Sequence, residues 1–212
     1  MALSDELEAA VAAVKRGEVI GLPTDTVYGV GADPFRPDAA GRVFAAKWRP
    51  EAVALPVLVA DPETATELAV LDGPARILAA RFWPGPLTMV LRRLDGVELH
   101  LGGDPTTVGL RCPDHEVARA VLARTGPLAV TSANRHGEPP ATTAGEVRRQ
   151  LGAGVAVVID AGRCDGSPST VVSLLGDDDA DEGGLRPAGG LRILRQGSIS
   201  EADLLSCLEA GP

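Results

Sequence analysis

Three cysteines, at positions 112, 164 and 207, are all that this 212-residue chain has, and none stands in CxxC spacing. That excludes a disulfide framework and a zinc knuckle. The three histidines, 100, 115 and 136, are equally scattered. Positive charge is short too: 20 Lys and Arg against 29 Asp and Glu give a net charge of -9. A dedicated nucleic-acid coat needs a basic face, so that class is disfavoured, although a local basic pocket stays open. No apolar run approaches the roughly 18 residues of a membrane span, and the acidic, amphipathic beginning has no basic region followed by an apolar core. A cytoplasmic protein without membrane contact is expected. The chain also lacks a GxSxG elbow, a Walker A lysine and a close carboxylate pair. Any catalysis would therefore come from positioning and charge stabilisation rather than a covalent intermediate.

What is present suits one α/β domain, residues 1–212. At 45% hydrophobic and 23% charged residues, a chain of this length hides about 70% of its unfolded surface. The most informative stretch is Gly21 to Ala32, GLPTDTVYGVGA. A short apolar run, Val19 to Leu22, gives way at Pro23 to Thr24, Asp25, Thr26 and Tyr28, and polar groups at a strand's exit are where α/β folds place ligands. Gly29 and Gly31 remove side chains, so a backbone or a bound molecule could come close. A plain turn fits equally well, with Thr and Asp satisfying local backbone groups and the glycines at positive φ. The pair is no dinucleotide fingerprint, because Asp33 and Pro34 follow in place of a third glycine.

Periodicity and punctuation predict the remaining elements. Helices are expected from Ser4 to Arg16, Pro37 to Lys47, Glu63 to Leu71, Pro74 to Phe82 and Asp114 to Arg124, the last closed by Gly126. Another starts at the capping-box pair Thr143 and Glu146 and ends at Gly152, and Ser200 with Asp203 caps a terminal one. Strands are expected at Val19 to Leu22, Leu55 to Ala60, Leu87 to Leu91, Thr107 to Arg111, Leu128 to Val130, Val155 to Ile159, Thr170 to Leu174 and Leu191 to Leu194. Asp95 to Thr106 reads as loop, and the acidic, glycine-rich stretch from Gly176 to Gly190 as a solvated, mobile hairpin loop without an EF-hand pattern.

Four strands thus carry polar ends: Thr24 to Tyr28, Thr107 to Arg111, Ser132 to Asn134 and Ser167 to Thr170. Lys47 and Arg49 follow a helix, and Arg195 follows a strand. Lys47 is one of two lysines beside eighteen arginines, a pattern that hints at a wanted compact ammonium. Hydroxyls with cations suit carboxylates and phosphates. Each of these residues alone is more simply a cap or a solvated charge; their convergence is what points to a site.

As a set the motifs become recognisable. PTDTVYGVGA, the K-x-R-P of Lys47 to Pro50, FWPGPLT at 82–88, TVGLRCPDH at 107–115, TSAN at 131–134, PSTVV at 168–172 and ILRQGSI at 193–199 together resemble the YrdC/TsaC family, threonylcarbamoyl-AMP synthases. The resemblance runs over nearly the whole chain. It implies the YrdC-like α/β fold, a twisted open mixed sheet flanked by helices around a concave cavity. It also implies a nucleotidyl-transfer reaction in which L-threonine, bicarbonate or carbon dioxide, and ATP give threonylcarbamoyl-AMP and pyrophosphate. The product serves threonylcarbamoyladenosine formation in tRNA, so tRNA-modification proteins and tRNA are the implied partners. Carried over by motif, Lys47 and Arg49 are the catalytic cations and lie with Arg195 on the nucleotide phosphates. Thr107, Ser132 and Asn134 contact the nucleotide, and Thr26, Arg111 and Ser169 contact threonine. Mg2+ accompanies ATP, and no protein-held metal is implied.

The chain departs from the family at Glu51, Ala52, Val53, Ala54 and Leu58, where many members carry Asp, Asn, Pro and a later His, and at Pro140, where some carry serine. Other readings therefore remain open. One is a YrdC-like paralogue without the activity that binds RNA or nucleotide. Another is a carbamoyl-transfer role like that of YrdC-like domains in hydrogenase-maturation proteins, against which stands the lack of acylphosphatase-like and zinc-binding segments.

Overall fold

The computed structural model describes residues 2–47, 54–135, 137–164, 166–175 and 190–211. Helix α1 (Leu3–Lys15) leads into the hairpin of β1 (Ile20–Leu22) and β2 (Gly29–Ala32), then α2 (Pro37–Lys47) and β3 (Val57–Leu58). A single turn, α3 (Pro62–Ala65), precedes α4 (Gly73–Phe82), β4 (Leu87–Arg92), β5 (Thr107–Arg111), α5 (Glu116–Thr125) and β6 (Leu128–Ser132). The chain ends with α6 (Ala144–Leu151), β7 (Val157–Val158), β8 (Thr170–Ser173), β9 (Arg192–Arg195) and α7 (Glu201–Ala210). The strands form one mixed sheet in the order β7-β1-β2-β6-β3-β5-β4-β8-β9. No described helix is long and apolar enough to cross a membrane.

The two faces of this sheet are treated differently, and alternation along each strand decides which residue goes where. One face is covered throughout: Val30, Ala32, Val57, Met89, Leu110, Ala129 and Val172 pack with Val43 and Phe44 of α2, Leu78 of α4, Val147 of α6 and Leu204 of α7. The other face is covered over only part of its width. There Ile20, Leu22, Leu58, Leu128 and Val130 lie under Val14 of α1 and Ala118 and Leu122 of α5. Beyond β3 the exposure of that face changes. Thr107 and Gly109 on β5, Val90 on β4, and Val171 and Ser173 on β8 are partly exposed, whereas their neighbours Val108, Leu110, Met89, Leu91 and Val172 are buried. The ladder pairs Val90 with Gly109 and with Ser173, so these residues form one continuous strip. Period-two burial of this kind marks a half-solvated sheet: here it is a floor that no described helix covers.

Two expectations change on this structure. Gly29 and Gly31 are neither at positive φ nor in a turn. They belong to β2, paired with β6, where a Cβ on Gly29 would stand 2.5 Å from Val130 Cγ1 and one on Gly31 would stand 2.6 Å from the Ala129 carbonyl oxygen. The close approach is thus one of backbone to neighbouring strand. The helix expected from Glu63 to Leu71 is only α3, because pairing with β4 takes the backbone after it: Val70 N–H donates to Arg92 O and Leu94 N–H to Leu68 O. Most of the acidic loop expected at Gly176 to Gly190 lies outside the described residues.

Candidate functional site at the open end of the sheet

Arg111 ends β5 and turns inward from the floor, 6% exposed. Its Nε donates to the Gly85 carbonyl at 3.0 Å, Nη1 to Thr26 Oγ1 at 3.0 Å and Nη2 to Asp25 Oδ1 at 2.5 Å. The β1–β2 loop supplies two of these acceptors and is ordered by its own hydroxyls. Thr24 Oγ1 gives its proton to Val27 O at 2.6 Å, so the 2.9 Å contact between the two threonines runs from Thr26 to Thr24. The result is a chain of donors with one direction, from Arg111 through Thr26 and Thr24 to a carbonyl. Burial lowers the guanidinium's pKa, opposed by the Asp25 charge, and the Arg195 charge lowers it further. Asp25 Oδ2 is buried and has no partner among the described residues, as is His115 Nδ1. His115 is pushed down by burial, against the pull of Asp25.

The second group stands where β8 begins and β9 ends. Arg195 Nη2 donates to both the carbonyl and the hydroxyl of Ser169, at 2.9 Å each, and Ser169 Oγ lies 3.1 Å from Thr88 Oγ1. Ser169 is held by the chain that follows β9. Thr170 Oγ1 donates to Ile199 O and accepts from Gly197 and Ile199 N–H. Gly197 is packed so tightly on the backbone of residues 168–170 that a Cβ there has no room.

A third group gathers around Lys47, the last residue of α2, which is 3% exposed. Its ammonium donates to the carbonyls of Ser132 and Asn134, the latter at 2.6 Å, and to Asn134 Oδ1 at 3.3 Å. The Asn134 amide in turn donates to Arg135 O and Glu138 O. The loop of Thr24 to Tyr28 ties this group to the first: Ala133 N–H donates to Tyr28 O, two residues beyond Thr26.

The residues expected with threonine, Thr26, Arg111 and Ser169, fall at one end of the site. Arg195, expected with the phosphates, is placed there too, on Ser169. Lys47, Ser132 and Asn134 come together in a separate group. Thr107 begins β5, about 13 Å along the strand from Arg111, on the same face, with its hydroxyl 3.5 Å from Asp104 O. Arg49 lies outside the described residues, as do Glu51 to Val53. Leu58, one of the positions expected to depart from the family, is buried under α1 and α5. Sequence reasoning missed Thr88 and the partnership of Asp25 with Arg111. FWPGPLT and PTDT contain both residues, but nothing in their spacing says that they meet residues 81 and 86 positions away. Among the described residues no group of three or more His, Cys, Asp or Glu could hold a metal ion.

The profile of the Sua5/YciO/YrdC family, described as "Telomere recombination", matches residues 12–197. A Mycobacterium tuberculosis protein, provisionally named threonylcarbamoyl-AMP synthase, is 40% identical over 194 residues, 90% of this chain and 83% of that one. A threonylcarbamoyl-AMP synthase of Chromohalobacter salexigens is 36% identical over 81% of this chain and 94% of its own. The crystal structure of Pyrococcus abyssi Sua5 complexed with L-threonine superposes with a TM-score of 0.86 at 31% identity, covering 98% of this chain. The chain spans 58% of the length of that structure.

Proposed function

The chain belongs to the Sua5/YciO/YrdC family, and from that premise we propose that it is an L-threonylcarbamoyladenylate synthase. It condenses L-threonine, bicarbonate or carbon dioxide, and ATP into threonylcarbamoyl-AMP and pyrophosphate. The observation that carries this reading is the pair of polar groups, one built on Arg111 and Arg195 beside a partly exposed strip of sheet and one on Lys47 at the end of β6.

Two reactants of different charge suit the two groups. Arg111 spends one N–H of each terminal nitrogen on Thr26 and Asp25, and each terminal guanidinium nitrogen carries two. The remaining N–H groups, with those of Arg195, take the threonine carboxylate. Thr26 and Ser169 border the rest of the amino acid. The amine adds to carbon dioxide and loses a proton, giving a carbamate. A carbamate oxygen then attacks the α-phosphorus of ATP, and the bond to the β-phosphate oxygen breaks as pyrophosphate leaves. The protein aligns the reactants and offsets charge. Lys47 exchanges a carbonyl partner for phosphate oxygen, with Arg49 beside it, while Thr107, Ser132 and Asn134 border the nucleotide. The nucleotide binds as its magnesium complex, the ion held by phosphates and water. The product then passes, in the cytoplasm, to proteins that modify tRNA.

Pyrophosphate release by the purified protein, with threonine and bicarbonate each present or omitted and serine as a control, tests this. Release that needs both co-substrates is expected. Folded protein that binds ATP and releases nothing would overturn the reading in favour of a nucleotide-binding paralogue.

A further inference from the structure

We propose that Gly109 is a specificity-determining position of this site. Its missing side chain keeps the floor open where the amino acid and the nucleotide meet, and glycine stands there for that space rather than for the fold. The inference rests on the synthase reading.

Two observations, its exposure and the room around it, separate Gly109 from Gly29 and Gly31 of β2. It lies between Thr107 and Arg111 on one face of β5, about 6.6 Å along the strand from each, and it is partly exposed while Val108 and Leu110 beside it are buried. Its backbone is ordinary extended strand, without positive φ. Among the described residues, a Cβ added to it would meet Pro56 Cβ at 3.5 Å and Thr88 Cγ2 at 3.6 Å and nothing nearer, ordinary contact distances. Gly29 and Gly31 are the contrast, for there an added Cβ collides with Val130 or with the backbone of Ala129. Glycine weakens a strand interior by leaving nothing to pack and more freedom to lose. At 29 and 31 close packing against β6 accounts for it, whereas at 109 no described residue makes a steric demand for it.

The location says what the space is for. Thr88 lies against both the Gly109 floor and the Ser169 hydroxyl, so Gly109 adjoins the threonine end. Thr107 and Ser132 mark the way towards the Lys47 end. The span between them is where carbamate oxygen and α-phosphorus must come within bonding reach. A side chain at 109 would lift either reactant off that line.

Gly109→Ala and Gly109→Val, each compared with the parent, decide the matter through melting temperature, threonine and ATP binding by calorimetry, and threonine-dependent pyrophosphate release. Both variants are expected to melt at or above the parent's temperature. The alanine variant should lose about tenfold in kcat/KM for threonine, the effect of roughly one methyl group in a fitted pocket. The valine variant should lose about 100-fold, as for a misplacement of about 1 Å at reacting atoms. Unchanged kinetics in both variants would overturn the inference, and so would a fall in melting temperature of the alanine variant large enough to make the glycine structural. A silent parent would overturn the synthase reading and this inference with it, whereas a parent that turns over beside unaffected variants would overturn only the inference.

Discussion

Arg111 and Asp25 hold one another in a place neither could occupy alone. The pair is almost wholly buried, with side-chain exposures of 7% and 13%. Removing one partner of such a pair strands the other charge and costs about 3–5 kcal/mol. Arg111→Ala should therefore lose both stability and threonine affinity, whereas Arg111→Ala combined with Asp25→Asn should regain much of the stability and none of the affinity. Denaturant midpoints beside threonine calorimetry would show whether the two losses separate in this way. Tyr28 offers a second test. It is fully buried, its hydroxyl donates to Gly162 O at 2.7 Å, and burial pushes the phenol up to about 12 from 10.0. Cys112 is pushed up to about 11 from 9.0 by the same cause. Between those limits the folded chain keeps protons that the unfolded chain has given up, so stability falls as pH rises. The urea midpoint should hold below pH 9 and decline from there to pH 12, with Tyr28→Phe removing the upper part of that decline. A flat profile across that range would show that neither group is protected by burial.

At the scale of elements, legibility depended on whether local chemistry or a distant partner sets the structure. The box of Thr143 and Glu146 forms as its spacing predicts, and Gly126 and Gly152 close α5 and α6. Thr107 to Arg111 was equally plain, since a β-branched and apolar run ends in a charge. β2 was not legible, because Gly29 and Gly31 carry no strand preference of their own. Their reason lies in Val130 and Ala129, a hundred residues away in sequence. The stretch after α3 failed for a related cause: its apolar spacing suits a helix, and backbone bonds to β4 win. The site divides in the same way. Its cations and hydroxyls could be named from the motifs, and the resemblance grouped Thr26, Arg111 and Ser169, but the partner that each side chain holds could not be named. Arg195 meets Ser169 because β8 and β9 pair, a fact of tertiary register. Since Gly31 faces the Ala129 carbonyl as well as the Val130 side chain, Gly31→Ala should destabilise by about 1–3 kcal/mol, while the same change at Gly109 should not. Thermal melts of the two side by side would settle the contrast, and equal losses would mean that the register of β2 against β6 is looser than described.

Across the whole molecule, the half-covered face makes ligand binding a matter of filling a trough rather than closing a core. A ligand bound only to the folded chain stabilises it by mass action, about 2.7 kcal/mol at a hundred times its dissociation constant. For a domain of this size that is a rise in melting temperature of about 5–10 °C. If the proposed function holds, magnesium ATP and threonine should each raise it alone and raise it further together, since that reading places them at different ends of one strip. Scanning calorimetry with each ligand and with both would show this, and mutual exclusion would place them at the same end. The order of the strands has a consequence in time as well. β4 sits inside the sheet only once β8 has paired with it, and roughly 80 residues separate Arg92 from Ser173. At about 5–20 residues per second of synthesis, the outer edge of β4 waits some 4–16 s on the ribosome with its backbone groups unpaired. In those seconds the growing chain is a candidate for chaperone capture or misassociation, and slower codons between Arg92 and Ser173 would lengthen its exposure.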